Sequence, residues 1–320
     1  MIFRFISKYF PSPIFLKPPR VGLSFSDQNI KAFYYDKFSP HKSLQSAVVS
    51  LEKGAIVAGK IISREEVVKK LKTLKENFES PFVFFAIPDE LAYIFSVSVP
   101  VSKDGNMAES VAFVMEENVP ISAKEAIFDF TPTEISSEPE LKANLVASAC
   151  SRQEIGKYTQ AVLESGFEPI GCAHESQVIA RALTTEKSRA VACIIHARYN
   201  RVGIYLTKGN TVHFATLRNI TGIDYNQQFL DEYRKFMDYA TKYGISDSQP
   251  LKKVFVCGEF ESAKKVTEAL STAVSQAKTK IKLANVWTNV LKIEKETPEI
   301  SFEDSLNLAG PIGAALSNIV

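Results

Sequence analysis

Ser24, Ser26 and Asp27 stand together in Val21-Gly-Leu-Ser-Phe-Ser-Asp-Gln-Asn-Ile-Lys-Ala-Phe-Tyr34, where two strand-like runs flank a short polar turn. Ser, Asp and Asn at Ser26 to Asn29 favour a tight turn with free backbone N–H groups, and such groups can cradle an anion. The layout recurs once, with Val191 to Ile195 and Val202 to Leu206 flanking a polar stretch from His196 to Arg201. A third turn, Cys257-Gly258-Glu259-Phe260, follows another apolar run. Arg20, Arg198 and Arg201 could offer charge to an anion at these places, because a guanidinium neutralises phosphate without a metal. As plain turn residues on a surface they would need no ligand.

Other chemistries find less support. His196 has no Ser or Cys nucleophile in a recognisable arrangement, so it is not indicated as a general base. Cys172 and His174 form an isolated C-x-H that needs two more ligands, and no metal site is expected. Cys150, Cys193 and Cys257 lie in apolar runs and read as small core residues of a reducing compartment. His174 and Glu175 read as the start of a helix, where a carboxylate suits the dipole. Thirty-eight Lys and Arg against 36 Asp and Glu leave a formal charge of +2, too even to argue for nucleic acid. The cluster Lys69, Lys70, Lys72 and Lys75 lacks interleaved aromatic residues and reads as a solvated helix face. No run of roughly 18 apolar residues exists, so no membrane-spanning helix is expected. Met1 to Phe10 alternates apolar residues with Arg4 and Lys8, and Pro11 and Pro13 end it without the features of a signal peptide.

The elements that would position these residues follow from periodicity. At 320 residues and 45% hydrophobic composition the chain can bury two or three domain-sized cores. Leu44 to Ile62 suggests short strands around Gly54 and Gly59. Ser63 with Glu66 forms a capping-box pattern that opens a helix with Val67, Leu71, Leu74 and Phe78 inward. Phe82 to Ile87 has the all-apolar pattern of a strand buried on both faces. Pro88 to Gly166 reads as a small inserted α+β unit: strand Ala92 to Val99, helix Met107 to Glu117, strands Ala126 to Phe130 and Asn144 to Cys150, loop Ser136 to Glu140. A helix capped by Ser151 and Glu154 closes that unit. Phe167 to Cys172 and Glu175 to Leu183 then form strand and helix before a polar hinge, Thr184 to Ser188. From Arg189 a three-strand meander precedes a helix carrying Phe229, Tyr233, Phe236 and Ala240 and ended by Gly244. Strand Val254 to Cys257, helix Ser262 to Ala277, strand Ile281 to Leu283 and two short helices, one ending at Ala309 and one opening at Pro311, complete the chain. The expected division is residues 1–17 as an N-terminal extension, 18–87 and 167–188 as a first domain, 88–166 as the insert and 189–320 as a second domain.

Paired hairpins facing across a cleft resemble the plan of the actin-like ATPase superfamily, and the details resemble the type IV pilus assembly protein PilM family, itself similar to FtsA. The matching stretches are Lys-Pro-Pro-Arg20 before Val21-Gly-Leu-Ser-Phe-Ser, the pair Phe85-Ala-Ile-Pro88 and Val97-Ser-Val-Pro100, and Glu117-Asn-Val-Pro-Ile-Ser-Ala-Lys-Glu125 with Phe128-Asp-Phe130. Ala147 to Arg152, Gly166-Phe-Glu-Pro169 and Glu175-Ser176 complete the set. The resemblance implies an α/β, actin-like (ribonuclease H-like) two-domain fold with a small inserted α+β domain. It also implies a site for ATP with Mg²⁺, and there the sequence departs. By register the family's metal-water Asp falls at Ser24 and a phosphate-loop Gly at Ser26. The second hairpin's Asp-x-Gly falls at Ile195 to Ala197, or at His196 with a one-residue shift. Gly258 is followed by Glu259, whose carboxylate would repel phosphate. Only six residues separate Gly222 from Phe229, where the family usually walls the adenine.

The expectation is therefore a cytoplasmic scaffold, peripheral to the inner membrane, with no catalytic residues and no cofactor. What the resemblance implies as partner is the cytoplasmic tail of a PilN-like inner-membrane protein, held between the insert and the first domain. Strand Ala92 to Val99 and helix Met107 to Glu117 are the expected lining, through Tyr93, Phe95, Met107, Val111 and Met115. Self-association remains open. Two alternatives stand beside the scaffold: an active actin-like ATPase binding Mg-ATP, and an FtsA-like polymer protein anchored by Met1 to Phe10.

Overall fold

The structure is a computed structural model. It describes residues 19–36, 44–101, 107–136, 142–186, 188, 190–220, 222, 224–242, 251, 253–274, 279–291 and 298–317. The N-terminal extension, the loop after Ser136 and the helix end expected at Gly244 lie outside the described residues.

Two five-stranded sheets carry the fold, and they have the same plan. In the first, β1 (Val21–Phe25), β2 (Asn29–Tyr35) and β3 (Leu44–Ser50) form an antiparallel meander, and β6 (Phe82–Ile87) and β10 (Glu168–His174) join β1 in parallel. The order is β10-β6-β1-β2-β3. In the second, β11 (Val191–Arg198), β12 (Arg201–Lys208) and β13 (Thr211–Asn219) form the meander, and β14 (Lys253–Gly258) and β15 (Lys280–Leu283) add in parallel, giving β13-β12-β11-β14-β15. The central strands are apolar on both faces because helices cover both sides.

Each half has its own core. Helix α1 (Arg64–Lys75) puts Val67, Leu71 and Leu74 under the first sheet, beside the small hairpin of β4 (Ile56–Val57) and β5 (Lys60–Ile61). The expected capping boxes are not formed: Ser63 makes no side-chain cap, and Glu66 turns instead to Lys70 at 3.5 Å. Of the four lysines read as a solvated face, Lys75 folds back, its Nζ 5.4 Å from the centre of the Phe167 ring. Helix α5 (Tyr225–Lys242) and helix α6 (Phe260–Ala273) cover the second sheet with Phe229, Tyr233, Phe236, Ala263, Val266 and Leu270.

Between the halves lies a third core. Helix α4 (Glu175–Leu183), short helix α7 (Phe302–Leu306) and helix α8 (Ala309–Ala315) bury Ile179, Leu183, Leu306 and Ile312 against Phe33 of one sheet and Ile194 and Tyr205 of the other. Gly22 belongs to this packing: a Cβ there would lie 2.0 Å from the Pro311 carbonyl oxygen, so α8 crosses β1 where only glycine fits.

The insert is a three-stranded antiparallel sheet, order β7-β9-β8, of β7 (Ala92–Pro100), β8 (Ala126–Ser136) and β9 (Lys142–Ser151), with helix α2 (Met107–Asn118) on one face. Helix α3 (Arg152–Glu164) was expected to close this unit. Its Tyr158, Ala161 and Val162 pack instead in the core of the first sheet, with the Tyr158 hydroxyl donating to the Gly59 carbonyl at 2.7 Å. By packing the insert therefore ends at Ser151, which makes no cap to α3, while Glu154 pairs with Lys157 at 2.8 Å.

Candidate functional site

The cleft between the two hairpins is filled by the protein's own side chains. In the β1–β2 turn the Ser26 Oγ accepts from the backbone N–H groups of Gln28 and Asn29, at 3.3 and 3.1 Å, and the Ser26 N–H donates to the Asn29 carbonyl. Amides that looked free for an anion are thus engaged within the turn. Asp27 faces away from them and accepts from the N–H groups of Ala58 and Gly59, both at 3.1 Å, tying the turn to the β4–β5 hairpin. Ser24 is buried beneath α8, beside Gly310.

The second hairpin differs from its expected form. Its strands run on through Arg198 and resume at Arg201, leaving a two-residue turn at Tyr199 and Asn200. His196, Ala197 and Arg198 are consequently buried strand residues rather than turn residues. At the third turn, Gly258 adopts φ +110°, and a Cβ there would lie 2.1 Å from the Ala197 carbonyl oxygen, which accepts from the Glu259 N–H at 2.9 Å. Glu259 is the N-cap residue of α6 but forms no side-chain cap.

Neither surface turn nor open anion site describes the arginines. Arg198 is 7% exposed, with Nη2 3.4 Å from Glu175 and 3.7 Å from Glu90. Arg201 pairs with Glu90 and lies 3.4 Å from Asp27. Arg20, at the far end of β1, donates to the Ser317 carbonyl at 2.7 Å. Lys31 is buried and bonds the Asn307 side chain; burial lowers its pKa to about 8, opposed by the charge of Glu175. Burial also raises Glu175 to about 7, opposed by Arg198, and raises Asp89 to about 6 although Ser176 donates to it through both N–H and Oγ at 2.9 Å. His196, 3.9 Å from Glu175, is held neutral by burial and by Arg198 and Lys31. The sequence reading missed Lys31, Asp89, Glu90 and Glu175 as cleft residues. The usable signal was Asp89-Glu90 directly after the buried strand β6, at the strand end where α/β sites form.

Asp27, Asp89, Glu90 and Glu175 are four carboxylates against three cations, Lys31, Arg198 and Arg201. A triphosphate at this place would meet that carboxylate excess and turn amides already bonded, so the residues fit Mg-ATP poorly.

A second feature lies on the other side of α4. A groove of about 1050 Å³ runs between the insert and the first half. Its walls are Ile127 to Thr131 of β8, Val146 and Ser148 of β9, Ile170 to His174 of β10, and Gln177 and Arg181 of α4. Strands β8 and β10 are both at the edges of their sheets. Gln177 donates to the Asn210 carbonyl at 2.6 Å and accepts from the Val212 N–H, so the β12–β13 turn closes one end. His174 caps α4, its Nδ1 accepting from the Gln177 N–H at 3.2 Å, and burial lowers its pKa to about 3.

The groove lies where a partner site was expected, but with other residues. Val111 and Met115 are fully buried between α2 and the insert sheet, and Phe95 and Met107 pack on the same side. Tyr93 is 38% exposed on β7, which runs beside β13 with Ser96 Oγ donating to the His213 carbonyl at 3.2 Å. None of the five lines the groove. Alternation explains this: α2 packs on the face carrying Phe128 and Phe130, which only border the groove, and the opposite face, with Ile127, Asp129 and Thr131, is turned away from α2.

The duplicated sheet, the cleft between hairpins and the insert after β6 define an actin-like fold. The chain belongs to the type IV pilus assembly protein PilM family, whose model matches residues 22–255. A chain of the PilM–PilN type IV pilus biogenesis complex superposes with a TM-score of 0.74 at 15% identity, covering 93% of this chain and 97% of that one. Weaker similarity links it to the cytoplasmic domain of EpsL, an inner-membrane component of the Vibrio cholerae type II secretion system (TM-score 0.49, 8% identity, 91% and 94% covered). The ethanolamine utilization protein EutJ of Carboxydothermus hydrogenoformans is comparable (TM-score 0.49, 12% identity, 93% and 89% covered). No curated protein sequence matches the chain.

Proposed function

We propose that this protein is a scaffold of a type IV pilus-like assembly machine that holds the cytoplasmic tail of a PilN-like inner-membrane partner in the groove between β8 and β10. The observation that carries the reading is the groove itself, which brings two edge strands together over apolar and polar side chains. An extended peptide binds such edges through main-chain hydrogen bonds, while alternate side chains enter pockets. Membrane attachment is then indirect, in keeping with the lack, among the described residues, of any helix long and apolar enough to cross a membrane. The occupied cleft supports a role without Mg-ATP turnover.

Titration of the synthetic partner tail tests the reading. Saturable one-to-one binding at submillimolar concentration is expected, and Ile127→Glu should abolish it while leaving the melting temperature unchanged. Binding that Ile127→Glu leaves intact would remove the groove, and no saturable binding would remove the partner.

A further inference from the structure

We infer that Arg198 and Arg201 are built-in counter-ions that hold the two halves of the molecule together across the cleft without a nucleotide. The distribution of charge carries this. Asp27, Asp89, Glu90 and Glu175 all belong to the first half, and Arg198 and Arg201 both belong to the second. Each set is complementary only when the halves meet. Glu90 sits between both guanidiniums, Glu175 faces Arg198, and Asp27 faces Arg201. Lys31 of the first half bonds the Asn307 side chain and adds its charge near Glu175, leaving Glu90 and Asp27 to the two arginines. Asp89, Glu90 and Glu175 are nine-tenths buried or nearly so, and each keeps one oxygen without a hydrogen-bond partner; Ser176 holds the other oxygen of Asp89, while Glu90 and Glu175 face the arginines, which restrain their repulsion.

The geometry makes the two sides of the contact unequal. Removing an arginine leaves buried carboxylates facing one another uncompensated, which favours separation and hydration of the cleft. Removing one carboxylate relieves that repulsion and leaves both arginines paired, Arg198 with Glu90 and Arg201 with Glu90 and Asp27. A general loss of packing would not distinguish the two.

Pulsed dipolar spectroscopy between spin labels at Lys53→Cys and Lys264→Cys, exposed positions on the two halves, reads the separation directly in a Cys172→Ala background. The parent protein should give one narrow distance distribution that millimolar Mg-ATP leaves unchanged. The double variant Arg198→Gln/Arg201→Gln should broaden it and shift it to longer distance, and Glu175→Gln should keep the parent distribution. If the double variant yields no folded protein, Arg201→Gln alone, at the cleft rim, should broaden the distribution. A narrow parent-like distance in folded arginine variants overturns the inference, as does a broad parent distribution that narrows only with Mg-ATP or a Glu175→Gln variant that opens like the arginine variants.

Discussion

Glu175→Gln should uncouple the stability of this protein from pH in a window set by one buried carboxyl group. Burial raises Glu175 from 4.5 to about 7, with Arg198 opposing and Asp89 and Glu90 reinforcing the shift. A carboxyl group whose folded pKa is raised binds its proton more tightly in the native state. Its stabilising contribution is therefore complete below pH 4.5 and lost as pH rises through 7. The shift corresponds to about 3 kcal/mol. Glutamine mimics the protonated acid and keeps the contribution at every pH. Asp89, raised to about 6, acts in the same sense, and His174, lowered to about 3, acts in the opposite one. Both are present in the parent and the variant, so the difference between the two proteins reports Glu175 together with its electrostatic coupling to Asp89, Glu90 and Lys31. Urea unfolding at intervals from pH 4 to pH 8 should show the stability of the variant rising relative to the parent by about 3 kcal/mol across that range. Parallel curves, or a parent that gains on the variant as pH rises, would refute the reasoning, because attraction to Arg198 would then outweigh desolvation.

Other consequences concern the backbone and the groove. Ala58 adopts φ +48° at an exposed position of the β4–β5 turn, so Ala58→Gly should stabilise the protein by about 0.5 kcal/mol, read as a higher urea midpoint. Gly258→Ala forces a Cβ against the Ala197 carbonyl at a left-handed φ and should destabilise by about 3 kcal/mol, measured by the same unfolding curve. Gln177→Ala frees the β12–β13 turn from α4 and should weaken tail binding about tenfold in a calorimetric titration, through the loss of two partly buried hydrogen bonds.

The fold was largely legible in the sequence because its elements have clear periods. The apolar run Phe82 to Ile87 marked a doubly covered strand, and Val67, Leu71 and Leu74 marked a buried helix face. Repetition of the hairpin at Val21 and Val191 revealed the duplication. The cleft was legible only as a departure from a pattern. Ser24 and Ser26 showed that the first hairpin had changed, but the partners that now fill the cleft, Glu90 and Glu175, are 111 and 23 residues from the arginines they meet, Arg201 and Arg198. Such pairings appear only once topology brings strand ends together. That the proposed groove is lined by other residues than the five expected has a local reason. Alternation gave two faces for each insert strand, and nothing in the sequence said which face α2 would cover, so Val111 and Met115 were assigned to a partner although they hold α2 to its own sheet.

Hydrogen exchange with and without the partner's tail peptide tests the central claim most directly, because it reports which backbone segment the peptide covers. The account predicts new protection confined to the two groove edges, residues 127–131 of β8 and 170–174 of β10, with no change in the hairpins at residues 21–35 and 191–208. Protection appearing in those hairpins while β8 and β10 stay unchanged would contradict it.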